Sequence, residues 1–260
     1  FEIVEINNSK ISLNNIESFE LNPVDLRIID LNSKPEISIS VGDFKKNIAN
    51  SLFINIEVVD NQYNVLFKSK KFNFSEIFAL LNLKGFETEK LLVSSVGSLI
   101  VDKNFNFKQM ETNFNSDTIK FENFFNLKQT TSLKKINGKI EFSEYGFIKS
   151  KLNFVHGLSN FELTVSGSDD RNKLNISIDK IHTDDLKKFW PVHFKVSARD
   201  WVDKNLNAKL QDVKLNFEFK TKTFQTQNFT GSFNFNNGMI SYLEGMPRIL
   251  ELSGKSEITK

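Results

Sequence analysis

The chain has 260 residues, 39% of them hydrophobic, with 34 basic and 32 acidic side chains and a net charge of +2. That apolar mass suits a sizeable core and excludes wholesale disorder, while the even charge balance leaves no basic footprint for nucleic acid. The absence of cysteine excludes disulfides, thiol chemistry and cysteine-ligated metals, and leaves the compartment open. Aromatic usage is lopsided, 27 Phe against 3 Tyr and 2 Trp. An AT-rich genome would favour Phe codons, but it would not place Phe at alternate positions.

In chain order, Phe1 to Leu13 reads as a hairpin turning at Asn7-Asn8-Ser9. Leu21 to Ile29 and Glu36 to Val41 read as strands, the second set off by Pro35. Leu52, Ile54, Ile56 and Val58 alternate with polar residues, and Asp60-Asn61-Gln62 turns them into a strand over Tyr63 to Phe67. Ser75 to Leu83 has a capping serine, an acidic first turn and the stripe Ile77, Phe78, Leu80 and Leu81, which predicts a short amphipathic helix ending near Gly85. Leu91 to Val101, the longest apolar stretch, contains serines and a glycine and falls short of the ~20 residues of a spanning helix. Strands are expected at Leu99 and Val101 and again at Phe105 and Phe107, around a turn at Asp102-Lys103-Asn104.

Residues 115–135 are the least patterned, so a boundary is expected there: an N-terminal β region over 1–128, with the helix near 75–83, and a second β region over 129–260. Gly138 to Phe142 and Gly146 to Leu152 predict a hairpin, and Phe229 to Phe235, Asn236-Asn237-Gly238 and Ile240 with Tyr242 predict another of the same design. Between them, Phe161, Leu163 and Val165 alternate in one strand and Leu174, Ile176 and Ile178 in the next. Thr183-Asp184-Asp185 caps a helical turn over Leu186 to Trp190, stopped by Pro191. Phe194 and Val196 read as strand, Arg199 to Leu206 as a short helix, and Val213, Leu215, Phe217 and Phe219 as the cleanest alternation in the chain. Both ends read as mid-strand, as expected of an excerpt from a longer protein. The fold class is therefore mainly β and antiparallel, with two or three short helices.

No catalytic constellation emerges. His156, His182 and His193 share no ligand spacing, Asp184-Asp185 is explained by capping and Asp169-Asp170 by a turn. The chain is expected to be non-enzymatic, with neither metal nor cofactor. Its alternating apolar faces admit two architectures: two sheets closed face to face in a structural or adhesive β-sandwich, or one extended, curved sheet forming an open apolar groove lined for lipid. Exposing an acyl chain to water costs about 0.8 kcal/mol per CH₂, on the order of 11 kcal/mol for a ~14-carbon tail, and an apolar groove removes most of that cost without a catalytic residue.

Two segments resemble a known family. Trp190-Pro191 followed by Ala198-Arg199-Asp200-Trp201 to Asn205-Leu206 is similar to the P…ARxWxxxNL segment of YhdP-like members of the AsmA-like superfamily, and Gly238 to Gly254, with Tyr242, Met246 and Pro247, resembles their GxxxYxxxMPxxxxxxG hairpin. Asn207-Ala208-Lys209 stands where the family commonly has glycine. The motifs cover about residues 186–254. The resemblance implies a repeating β-groove protein of the bacterial periplasm, anchored in the inner membrane through a segment outside this chain. It also implies a phospholipid partner, passed toward the outer membrane. On that reading Trp190, Pro191, Arg199, Trp201, Tyr242 and Pro247 are structural. The groove lining falls at Phe142, Phe154, Leu163, Ile176, Ile178, Phe194, Leu215, Phe217, Phe233 and Phe235.

Overall fold

A computed structural model describes residues 3–12, 20–29, 35–42, 50–75, 91–121, 131–144, 146, 148–168, 171–189, 196–220, 226–241 and 246–259. They form fourteen strands: β1 (Ile3–Ser12), β2 (Glu20–Ile29), β3 (Glu36–Val41), β4 (Ser51–Val59), β5 (Gln62–Asn73), β6 (Leu92–Asp102), β7 (Phe107–Phe121), β8 (Thr131–Ser143), β9 (Ile148–His156), β10 (Ser159–Gly167), β11 (Arg171–His182), β12 (Leu206–Lys220), β13 (Thr226–Ile240) and β14 (Ile249–Thr259). Two short helices, α1 (Thr183–Phe189) and α2 (Val196–Asn205), lie between β11 and β12. The strands hydrogen-bond in sequence order as a single sheet that does not close into a barrel, and the pairs whose register is defined are antiparallel. The fold is thus mainly β, as the alternation predicts.

Two compact units divide the chain. The first holds Phe1–Lys120 and Lys135–Ile148; the second holds Phe121–Lys134 and Lys149–Lys260.

In the first unit, register carries apolar residues across the sheet in rows. Ile28 faces Ile37, which faces Ile56, then Val65, Leu99 and Met110; one row over, Leu26, Ile39, Ile54 and Phe67 align in the same way. Cross-strand partners share a face, so these rows make one side of the sheet apolar. The other side carries the Arg27–Glu5 pair at 3.1 Å, Lys139 between Glu111 at 2.6 Å and Glu141 at 2.8 Å, and Ser38 donating to Asn55 at 2.8 Å. A buried cluster of Val24, Val41, Leu52 and Phe72 closes the apolar side at one end of the strands. Phe74 meets Phe72 edge-on at 5.2 Å.

In the second unit, Ile178 faces Phe161 and Val213, Ile176 faces Leu163 and Leu215, and Phe217 faces Leu174 and Phe229. The reverse side is polar: Asn175 donates to Thr164 at 3.2 Å, Asn216 to Thr230 at 3.1 Å and Asn234 to Asp212 at 3.0 Å. Helix α1 lies against the apolar side through Phe189, whose ring is 4.5 Å from Phe161 and 6.0 Å from Phe154. Thr183 at its start is fully buried, and its hydroxyl accepts the N–H of Ala208 at 3.3 Å, pinning the helix to β12.

The expected turn at Asn236-Asn237-Gly238 does not form. Strand β13 runs through it, and only Asn237 takes a positive φ, 49°, with the register slipping between Phe235 and Gly238. A two-residue hairpin turn of this type needs two consecutive positive-φ residues; a single one makes a β-bulge. Asn8, at φ 53°, does the same in β1, which runs straight through the turn expected at Asn7-Asn8-Ser9. At residues 60–61 both Asp60 and Asn61 have positive φ, 49° and 62°, and there the expected hairpin forms. The proposed likeness between 138–152 and 231–243 therefore fails: the first spans two strands, β8 and β9, whereas the described part of the second is one bulged strand.

Three further expectations are corrected. Phe105 is not in a strand but in the β6–β7 turn, at φ 62° and 75% exposed, where its ring stacks on Tyr63 at 5.1 Å. Val196 opens α2 instead of extending a strand, and Leu206 begins β12 instead of ending a helix. The helix expected over 75–83 lies outside the described residues beyond Ser75, as do Trp190, Pro191, Phe194 and Tyr242.

Candidate functional site

Of the residues expected to line a groove, those described in the second unit share its apolar side, and most are packed shut. Phe154 is 4% exposed, Ile176 8%, Ile178 1%, Leu215 5%, Phe217 2% and Phe233 8%, and Val213, outside the expected lining but paired with Ile178, is 0%. Leu163 and Phe235 are half-buried. Phe217 packs on Phe229 at 4.9 Å, and Phe154 stacks on Phe161 at 4.7 Å. Side chains with so little contact with water have their apolar partners already, so this face behaves as a core.

Phe142 is the exception. It belongs to the first unit, where its ring meets Phe107 at 5.0 Å, and it is half-buried. It joins a wider apolar face that sequence reasoning passed over. Ile37, Ile39, Ile54, Ile56, Val65, Phe67, Leu99 and Met110 are all half-buried, and at the β1 edge Val4 is 40% and Ile6 46% exposed. The rows run from β2 to β7, five strand spacings of ~4.8 Å, or about 24 Å. Half of a ~30 Å bilayer core, ~15 Å, is the depth one lipid tail fills, so a row is longer than a tail. The signal was present in sequence: six successive strands whose apolar positions fall opposite one another once the register is known.

The floor of this face is smooth at its centre. Phe67 faces Gly97, and a Cβ on Gly97 would lie 2.5 Å from the Phe67 ring and 2.8 Å from Thr112 Cβ, so the ring lies flat over the glycine. Toward the closed end, Ser69 and Ser95 interrupt the apolar surface but satisfy each other at 2.8 Å, and Ser69 also donates to the Val93 carbonyl at 3.1 Å. That strip is hydrogen-bonded within the sheet and offers no anchoring group.

The family-like motif acquires a physical role at its glycines. A Cβ on Gly238 or on Gly254 would come within 3.3 Å of the Phe235 ring, so the two glycines make room for one phenylalanine across the β13–β14 pair. Pro247 is exposed just before β14, and Trp201 on α2 is 46% exposed. The Arg199 side chain lies outside the description.

Titratable groups do not assemble into a reactive centre. His156 Nδ1 sits 3.0 Å from the Ser132 carbonyl with its ring edge-on to Phe189, and His182 Nδ1 is 3.2 Å from Asp184; His193 is outside the described residues. Among the described residues, no group of three or more His, Asp or Glu is placed to hold a metal ion. Burial works against the charge of Asp179, but the N–H groups of Asn160 and Lys180 and the Asn160 amide outweigh it and hold the carboxyl below its usual range. The Asn106 side chain, with the Asn106 and Asn104 N–H groups, does the same for Asp102 at the β6–β7 turn. Both are turn and strand-end fasteners.

No protein-family model, curated protein or solved structure matches the chain. No described helix is long and apolar enough to cross a membrane. The class is set by fold and site together: a single-sheet β protein carrying a broad, half-buried apolar face.

Proposed function

We propose that the chain is a non-enzymatic lipid-binding segment whose first unit holds phospholipid acyl chains on the apolar face of β2 to β7. One observation carries this reading: the aligned Ile, Val, Leu, Met and Phe of that face are half-buried throughout, whereas most of the corresponding residues of the second unit, with Leu163, Leu174 and Phe235 as exceptions, are buried. Apolar surface left open over several strands marks a binding surface more often than a solvated one. Covering it with an acyl chain removes water from both at about 0.8 kcal/mol per CH₂. The resemblance to YhdP-like AsmA proteins supports reading it as a periplasmic segment, anchored to the inner membrane from outside this chain and passing lipid toward the outer membrane. A closed structural module of the envelope is the second reading, favoured by the packed face of the second unit.

A photo-cross-linking residue placed at Val65 or at its neighbour Asn64 tests the proposal, since adjacent strand positions point to opposite faces. Lipid adducts are expected at 65 and not at 64. Absence of adducts at 65, or equal labelling at both, would overturn it.

A further inference from the structure

In the second unit, all exposed large apolar side chains among the described residues gather at one end of the strands. Leu158 is 84% exposed at the tip of the β9–β10 hairpin, Trp201 46% on α2, Met246 53% in the β13–β14 connection, and Ile249 43% and Leu250 63% at the start of β14. The two hairpin connections lie four strand spacings apart, about 19 Å across the sheet. Leucine at the tip of a two-residue turn gains nothing from solvent, and Gly157 beside it, at φ 59°, fixes the turn that presents it.

A cavity of about 150 Å³ opens at the same end, lined by Asp184, Asp203, Lys204, Asn207, Met239 and Arg248 among others. Two cations and two carboxylates share it. The Arg248 guanidinium reaches only the Met239 thioether, at 3.8 Å, among its described contacts, and sulfur is a weak acceptor. A phosphate would be a far better one. The mixed charge fits a ligand carrying both signs, and exposed Trp and Leu beside such a site is the composition of a surface seated at the headgroup level of a bilayer.

We propose that this end of the second unit docks on a phospholipid bilayer, with Leu158, Trp201, Met246 and Leu250 in the interface and a zwitterionic headgroup in the cavity at Arg248. It deepens the lipid reading above, on which it rests, by naming where the bilayer is met; exposed Trp and Leu at the same end as an arginine whose described contact is a thioether suit a lipid headgroup and its interface. The test is co-sedimentation of the whole 260-residue chain with vesicles of equimolar phosphatidylcholine and phosphatidylethanolamine. The parent is expected to sediment, with Leu158→Asp and Leu250→Asp each weakening binding about tenfold to a hundredfold, since each forfeits the insertion of one leucine. Both sites are exposed, so the circular dichroism of the variants should match the parent's. Arg248→Glu is expected to weaken binding as well. A parent that stays in the supernatant, or leucine variants that sediment like it, would overturn the docking. So would variants that alter only self-association. If lipid is still extracted from a parent that ignores vesicles, the docking alone has failed; a lipid-free chain that sediments overturns the groove alone.

Discussion

Two aspartate substitutions at apolar positions should have opposite consequences. Phe217 is 2% exposed and packs on Phe229 at 4.9 Å. Removing its ring costs about 3–5 kcal/mol. A carboxylate in that place has no partner, and its pKa rises by up to ~3 units toward neutrality, adding on the order of 4 kcal/mol at about 1.4 kcal/mol per unit. The sum, about 7–9 kcal/mol, is comparable to the ~5–15 kcal/mol that holds a domain together. Phe217→Asp should therefore unfold the second unit. Val65 is half-buried on the apolar side of the first unit, so Val65→Asp keeps its charge within reach of water and should cost only about 1–2 kcal/mol while removing bound lipid. Urea titrations followed by far-UV circular dichroism, with lipid content measured on the same samples, separate the two. A Phe217→Asp protein with the parent's midpoint, or a Val65→Asp protein that unfolds, would refute the assignment of one face as core and the other as binding surface.

Other positions test narrower points. Gly97→Ala places a methyl 2.5 Å from the Glu111 carbonyl oxygen and from the Phe67 ring, and should cost about 1–3 kcal/mol; Gly254→Ala, 3.3 Å from Phe235, should cost less, a ranking that thermal melts decide. Asn237→Val forces a β-branched residue into φ 49° and should lose about 1–2 kcal/mol, whereas Asn237→Gly should match the parent or exceed it slightly in denaturant midpoint. Asp102 has a folded pKa below its ordinary value, held there first by the Asn106 side chain. Its contribution is therefore fully present above about pH 4 and is lost as pH falls through the depressed value. Melting temperatures of the parent and Asp102→Asn should differ at pH 7 and converge near pH 2; parallel profiles would contradict this.

The sequence made strands legible because apolar residues fall two apart, and the register later aligned them, as with Ile54 and Phe67. It did not separate bulges from turns. Asn61 and Asn237 look alike in sequence, and the difference is whether the preceding residue also takes positive φ, as Asp60 does and Asn236 does not. Phe105 looked like a strand residue because Phe107 follows it by two, yet the Asp102 carboxylate, accepting the N–H groups of Asn104 and Asn106, curls the chain between them. The expected lining fell on buried residues for a different reason. Periodicity identifies an apolar face but carries no information on what covers it, and burial depends on neighbours such as Phe189, brought in by a helix. The alternation of Val213, Leu215 and Phe217 is as clean as any in the chain and marks the most enclosed part of it. The face of the first unit, with the same period, is only half-buried.

Lipid extraction and mass spectrometry on the purified, detergent-free chain test the central claim most directly, with a Val65→Asp, Ile54→Asp protein extracted in parallel. Near-stoichiometric phospholipid on the parent and its loss from the double variant is the predicted result. A stable, monodisperse parent that carries no lipid would contradict it and leave both apolar faces as structural core.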